Sequence, residues 1–141
     1  VKGSCLCGAV SFELSGELPP IYQCHCSLCR KVSGSSSNSA LVIQAAKFRW
    51  LSAKQDTQSY TTDSGFKSEF CRLCGSPVPN LTANGQSYWV PAGLLSDPID
   101  TQVAAHVYVD SHADWDVAFL NDGLSKYAEM PTKEQWLQLS K

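Results

Sequence analysis

Cys5-Leu6-Cys7-Gly8, near the start of the chain, has a counterpart in Cys71-Arg72-Leu73-Cys74-Gly75, and between them lies Cys24-His25-Cys26-Ser27-Leu28-Cys29. All seven cysteines of the 141-residue chain fall in these three clusters. Thiolates this close in sequence can converge on one metal ion. Zinc held by four protein ligands is usually structural, and zinc held by three keeps a position for chemistry. Seven cysteines are one short of two complete four-thiolate sites, so one site should keep a position open.

Disulfides are the competing use of so many cysteines. The odd number argues against full pairing. Cys5 and Cys7, or Cys26 and Cys29, are also too close for an easy disulfide within the pair, although a Cys-x-x-Cys can form a redox disulfide. The sequence opens Val1-Lys2-Gly3-Ser4 without an apolar run. That opening favours a cytoplasmic setting, in which cysteines serve metal or redox chemistry.

The glycines divide the ligands. Cys5-x-Cys7 and Cys71-x-x-Cys74 are each followed at once by glycine, Gly8 and Gly75. Such turns need backbone freedom, often with positive φ, to wrap around a metal. The two knuckles together make a closed site of four thiolates, whose metal contributes folding free energy. Cys24, Cys26 and Cys29 remain, close enough in sequence to hold a second ion alone, with Arg30 rather than glycine after the last. Three thiolates on zinc carry a formal charge of about −1 and leave a fourth position vacant. The alternative pairs Cys26/Cys29 with Cys71/Cys74 as a ribbon and strands Cys5, Cys7 and Cys24. His25 lies between two ligands and is expected to orient a cysteine or the backbone through a hydrogen bond. His106, expected on a strand face, and His112, expected in a turn, are alternative fourth ligands.

Composition excludes several functions. The length fits one domain, residues 1–141, able to bury a core of its own. The formal net charge is −2, and the eleven Lys and Arg residues are scattered. Nucleic-acid binding lacks its cationic face. No stretch approaches the roughly 20 apolar residues that span a bilayer. Arg30-Lys31 is an adjacent basic pair, readable as a solvated helix end or as cations beside an anionic site.

Strand signals dominate the chain. Ala9 to Leu14 alternates, with Val10, Phe12 and Leu14 on one face. Ala40–Ile43, Phe48–Leu51, Thr57–Thr61, Phe66–Phe70, Tyr88–Val90 and Val103–Val109 follow, rich in β-branched and aromatic residues. Cys26 to Val32 reads as one or two helical turns stopped by Ser33-Gly34, and Ser33 to Ser39 as a polar loop. A terminal helix starts near Pro131-Thr132. The expected fold is mainly β: folded antiparallel sheets with zinc knuckles, short helical turns and a C-terminal helix. Trp50, Trp89 and Trp136 are expected in the core.

Gly3-x-Cys5-x-Cys7-Gly8-x-Val10, Cys24-His25-Cys26-x-x-Cys29-Arg30 and Phe70-Cys71-x-x-Cys74-Gly75, with His106-Val107-Tyr108-Val109-Asp110-Ser111 and Trp115 further on, resemble the glutathione-dependent formaldehyde-activating enzyme family, which includes centromere protein V. The resemblance runs from Gly3 to about Trp115 and implies an Mss4-like fold. It implies a structural zinc on Cys5, Cys7, Cys71 and Cys74 and a catalytic zinc on Cys24, Cys26 and Cys29, two ions per chain. The implied activity is that of a carbon–sulfur lyase forming S-hydroxymethylglutathione from formaldehyde and glutathione. A thiol such as glutathione is then the partner. Arg30 or Lys31 is expected to attract its carboxylate, with polar contacts from Ser33, Ser35 or Asn38. Two other functions stay open: a non-catalytic zinc-stabilised binding module, and a thiol redox protein using Cys26 and Cys29.

Overall fold

The computed structural model of the chain describes residues 1–52, 56–96 and 98–139. In chain order its first strands are β1 (Lys2–Ser4), β2 (Ser11–Leu14), β3 (Ile21–Cys24), β4 (Asn38–Gln44), β5 (Phe48–Trp50) and β6 (Thr57–Thr61). They are followed by β7 (Lys67–Cys71), β8 (Asn80–Leu81), β9 (Ser87–Pro91), β10 (Val103–Val107) and β11 (Ser125–Lys126). Helix α1 (Ser27–Ser33) lies between β3 and β4, and α2 (Lys133–Leu139) closes the described chain. The protein is mainly β, and no described helix is long and apolar enough to cross a membrane. The chain forms two compact units, one of Val1–Pro19 with Leu41–Asp100, the other of Pro20–Ala40 with Thr101–Lys141.

The first unit is antiparallel. Strands β1, β2 and β5 form one sheet, with Gly3 opposite Phe12 and Phe12 opposite Trp50. Strand β2 keeps the alternation read from the sequence: Phe12 and Leu14 are buried, Ser11 and Glu13 only partly. A Cβ at Gly3 would collide with the Phe12 ring, so glycine there lets the ring lie over the neighbouring strand. Phe48 stacks on Phe12 and on Tyr88, at 5.5 and 3.8 Å between centroids, and Trp50 meets Phe48 edge-on at 4.9 Å. Strands β6 and β7 pair as a hairpin with Thr57 opposite Cys71, and β8 pairs β9.

The second unit is mixed. Its strand order is β11-β10-β3-β4, counting the first half of β4. Strand β4 is antiparallel to β3, with Asn38 opposite Cys24, whereas β10 runs parallel to both β3 and β11. This departs from the antiparallel expectation. Parallel pairing needs a long crossover, and the chain between β3 and β10 is long enough to supply one.

Three further expectations are corrected. Strand β4 begins at Asn38, so the polar loop after α1 is shorter than Ser33–Ser39, and Asn38 is a buried strand residue. Strand β10 stops at Val107, because Tyr108 takes a left-handed φ of 54° and Val109–Ser111 form a 3₁₀ turn. A bulky residue at positive φ is strained and persists only where its surroundings hold it. Here hydrogen bonds from Tyr108 and Val109 N–H to the carbonyls of Glu129 and Tyr127 do so. Finally, Trp50, Trp89 and Trp136 are half-buried rather than central, in keeping with the size of the indole ring, which is seldom covered completely.

Candidate metal centres

Both cysteine groups are assembled, each inside one unit. Cys5 and Cys7 follow β1, Cys71 ends β7, and Cys74 lies in the turn beyond it. Cys5 and Cys71 are buried, Cys74 is half-buried and Cys7 is exposed. The two turns close in the same way. Gly8 N–H donates to the carbonyl of Cys5 at 3.1 Å, and Gly75 N–H to that of Cys71 at 2.7 Å. Both glycines have positive φ, 84° and 80°. Leu6 N–H bonds Ser76 Oγ at 3.0 Å and so ties one knuckle to the other. Val10, Val78, Ala9, Trp50 and Leu94 pack around the sulfurs.

The spacing of these sulfurs tests the fit to zinc. A tetrahedron with Zn–S of about 2.3 Å places its corners about 3.8 Å apart. Cys5 Sγ lies 3.7 Å from Cys7 Sγ, which lies 3.8 Å from Cys71 Sγ. That is far beyond a disulfide bond of about 2.05 Å and matches a tetrahedral edge. Backbone N–H of Val10 points at Cys5 Sγ from 3.3 Å, the kind of donor that stabilises a thiolate. The Ser76 hydroxyl, with amides of Ser76 and Cys7, brings Cys74 down to about 5. Cys7 goes the other way: despite an amide from Ala9, loss of hydration and the sulfurs of Cys5, Cys74 and Cys71 push it up to about 11. Four neighbouring sulfurs cannot all ionise without a cation among them.

The second group is local. Cys24 ends β3, Cys26 caps α1, and Cys29 sits in the first turn of that helix. Cys26 Sγ accepts from Cys29 N–H at 3.3 Å, a thiol occupying the capping position usually given to Ser or Asp. All three sulfurs lie within 4.8 Å of one another, and the only groups of three or more possible ligands among the described residues are this set and the four-cysteine set. No histidine joins either set. The Cys29 thiol brings Cys24 down to about 6, and Cys24, followed by burial, holds Cys29 far above the ordinary thiol value. Softness, number and convergence of these donors fit zinc.

Around this group stand the residues expected to meet substrate. Arg30 is half-buried and Lys31 exposed, both in the last turn of α1. Arg30 Nε is buried without a hydrogen-bond partner. The Ser33 hydroxyl is turned inward, donating to the carbonyl of Cys29 at 2.8 Å. Gly34, at φ 65°, ends the helix with its N–H on the carbonyl of Arg30.

The pairing of His25 with His106, and the residues around the two rings, escaped sequence reasoning. His25 and His106 are both buried and bonded ring to ring, His25 Nε2 to His106 Nδ1 at 2.8 Å. Asp122 holds His106, Asp116 approaches His25, and Phe119 stacks on the His25 ring at 4.1 Å. His112 meets the same Phe119 ring edge-on at 5.6 Å, its Nδ1 2.7 Å from the Val109 carbonyl oxygen. Asp116 follows β10 in irregular chain, and Phe119 and Asp122 lie in and just after a short 3₁₀ turn, Ala118–Asn121. His25, directly after β3, and His106, within β10, carry no local signal of their pairing.

The chain is mainly β and carries two cysteine groups, four in one unit and three in the other, each able to hold a metal ion. Residues 1–111 match the profile of the glutathione-dependent formaldehyde-activating enzymes, and the chain belongs to that family. An uncharacterized lyase of Schizosaccharomyces pombe is 26% identical over 114 residues, covering 80% of this chain and 81% of that protein. A Halomonas elongata protein named for glutathione-dependent formaldehyde activation is 30% identical over 84 residues, 55% of this chain and 54% of its own length. The crystal structure of a Rhodobacter sphaeroides protein shares the fold, with a TM-score of 0.57 at 22% identity, over 90% of this chain and 99% of that one.

Proposed function

We propose that this protein is a zinc-dependent carbon–sulfur lyase acting on the adduct of a glutathione-type thiol with a small carbonyl, S-hydroxymethylglutathione being the prime case. The observation that carries the proposal is the contrast in ligand number: four sulfurs converge in one unit and three in the other. Cys5, Cys7, Cys71 and Cys74 would hold a structural ion. Cys24, Cys26 and Cys29 would hold the working one. Zinc supplies, when bound, a cationic centre that favours the thiolate form of an incoming thiol.

The reaction balances without an oxidant. The thiol sulfur adds to the carbonyl carbon, one C–S bond forms, the C=O π bond opens, and the thiol proton passes to the new hydroxyl by way of solvent. The reverse reaction breaks that bond and returns thiol and carbonyl. Arg30 and Lys31 would orient the substrate through its carboxylate, and Ser33 would support the site indirectly, holding the Cys29 carbonyl. Family membership and the named relatives support the reaction class.

The test is exchange between free and glutathione-bound formaldehyde, followed by NMR with and without the zinc-loaded protein. Acceleration abolished by Cys26→Ser is expected. Exchange at the uncatalysed rate would refute the proposal. The convergence of the three sulfurs within 4.8 Å favours a second reading, a thiol redox protein using Cys26 and Cys29. Reversible formation of one disulfide with loss of one metal ion would select it.

A further inference from the structure

A chain of hydrogen bonds runs from partly exposed side chains to the residue between Cys24 and Cys26. Lys126 Nζ and Leu124 N–H both donate to Asp122 Oδ1 at 2.9 Å. The other oxygen, Oδ2, lies 2.6 Å from His106 Nε2. His106 Nδ1 lies 2.8 Å from His25 Nε2. Each imidazole is 1% exposed, and Phe119 lies against both, 4.1 and 4.8 Å between ring centroids.

The direction of this chain follows from its end. Lys126, then the Leu124 amide, hold Asp122 far below the usual carboxylate value, and an ionised carboxylate only accepts. His106 must therefore carry its proton on Nε2. In the neutral ring its Nδ1 is then an acceptor, and His25 donates from Nε2. His25 Nδ1 keeps its lone pair. At the far end Nδ1 is buried with no hydrogen-bond partner, and Asp116 Oδ2 stands 3.6 Å away, beyond hydrogen-bond reach.

We infer that His106 and Asp122 are positioning residues that fix His25 as its Nε2–H tautomer and thereby clamp the Cys24-His25-Cys26 segment, so that the two flanking sulfurs keep their places. The backbone is held from the same side. His25 N–H donates to the Val107 carbonyl at 3.0 Å, and Cys24 is in register with Val107. Strand β10 thus grips His25 by both its main chain and its ring. A single tether would leave the loop free to pivot; two tethers from adjacent residues, His106 and Val107, do not. The inference rests on the proposed function only for what the sulfurs hold, since the clamp itself is a matter of protons on nitrogen.

The experiment uses the full chain loaded with cadmium, with histidine ring nitrogens read by NMR and each metal site read by its own cadmium resonance. In the native protein both rings should show protonated Nε2 and bare Nδ1. His106→Gln keeps one acceptor and one donor, so it should retain the His25 tautomer and hold metal within a few-fold of native. His106→Leu keeps bulk and loses both groups, and Asp122→Ala, at a partly exposed position, removes only the terminal acceptor. Each should weaken metal at the three-cysteine site by about 10- to 100-fold and leave the four-cysteine resonance unmoved. A proton on His25 Nδ1, or unaltered affinity in both His106→Leu and Asp122→Ala, would overturn the inference. Native tautomers in a protein without lyase activity would sink the proposed function and leave the clamp standing.

Discussion

The two cysteine groups are built on opposite principles. The four-cysteine set draws together segments far apart in sequence, ends each knuckle with a glycine at positive φ, and sits in an apolar surround with Val10 and Val78. The three-cysteine set is drawn from one strand end and one helix start, has no glycine at its own turn, and leans on a pair of buried histidines. The first closes a long loop, so a metal held there would offset chain entropy that folding must otherwise overcome. The second closes almost no loop, and a metal there would give the fold little. A site that contributes little to folding can keep one position free for chemistry.

The sharpest way to break this contrast is to remove one sulfur from each set. Cys71→Ser should cost several kcal/mol, on the order of a lost structural metal, and yield a protein that melts far lower or stays unfolded by circular dichroism. Cys26→Ser should keep the fold and abolish formaldehyde exchange. Equal loss of stability in both variants would erase the distinction.

A smaller test applies the same strain to both sets. Gly75 and Gly34 have φ of 80° and 65°, and a Cβ at either would meet nothing within 4 Å. Alanine should therefore cost about 1–2 kcal/mol at each, from left-handed backbone alone. Only Gly75→Ala should also loosen the tightly held ion, measured as metal released to a chelator over time. Gly34→Ala should shift the denaturation midpoint and leave that ion in place.

Much of this contrast was legible in the sequence, because it depends on local spacing. Glycine directly after a second cysteine announces a turn of known conformation, and Cys26 to Gly34 announces a short helix with its stop. Strand β6 and the alternation of Phe12 and Leu14 were readable for the same reason. Strand β3 was not. It lies between β10 and β4, so Ile21, Tyr22 and Cys24 are all buried and show no period of two. The two-residue strands β8 and β11 are too short to carry any period. The histidine chain was hidden most completely. It depends on the parallel register that sets His106 beside Gln23, and on the left-handed turn at Tyr108 that redirects the chain towards Asp116 and Asp122.

Two weaker effects sharpen the comparison further. Arg30→Met should raise KM for glutathione by about tenfold, the scale of one charged hydrogen bond, with both metals retained. Unchanged KM would remove Arg30 from substrate binding. In the first unit, Arg49 faces Glu13 across β2 and β5 and holds its carboxyl below the ordinary value. A depressed carboxyl contributes stability that is present above the unfolded value, near about 4.3, and is lost as pH falls through the lower folded one. Arg49→Gln should flatten that part of the pH–stability profile, followed by urea denaturation, and leave the cysteine sets untouched.

Counting metal before and after mild chelation tests the central claim most directly. Two zinc ions per chain, one leaving readily while the fold and the second ion persist, is the predicted result. A single tightly held ion, or two ions leaving together with the fold, would contradict the division into a closed site and an open one.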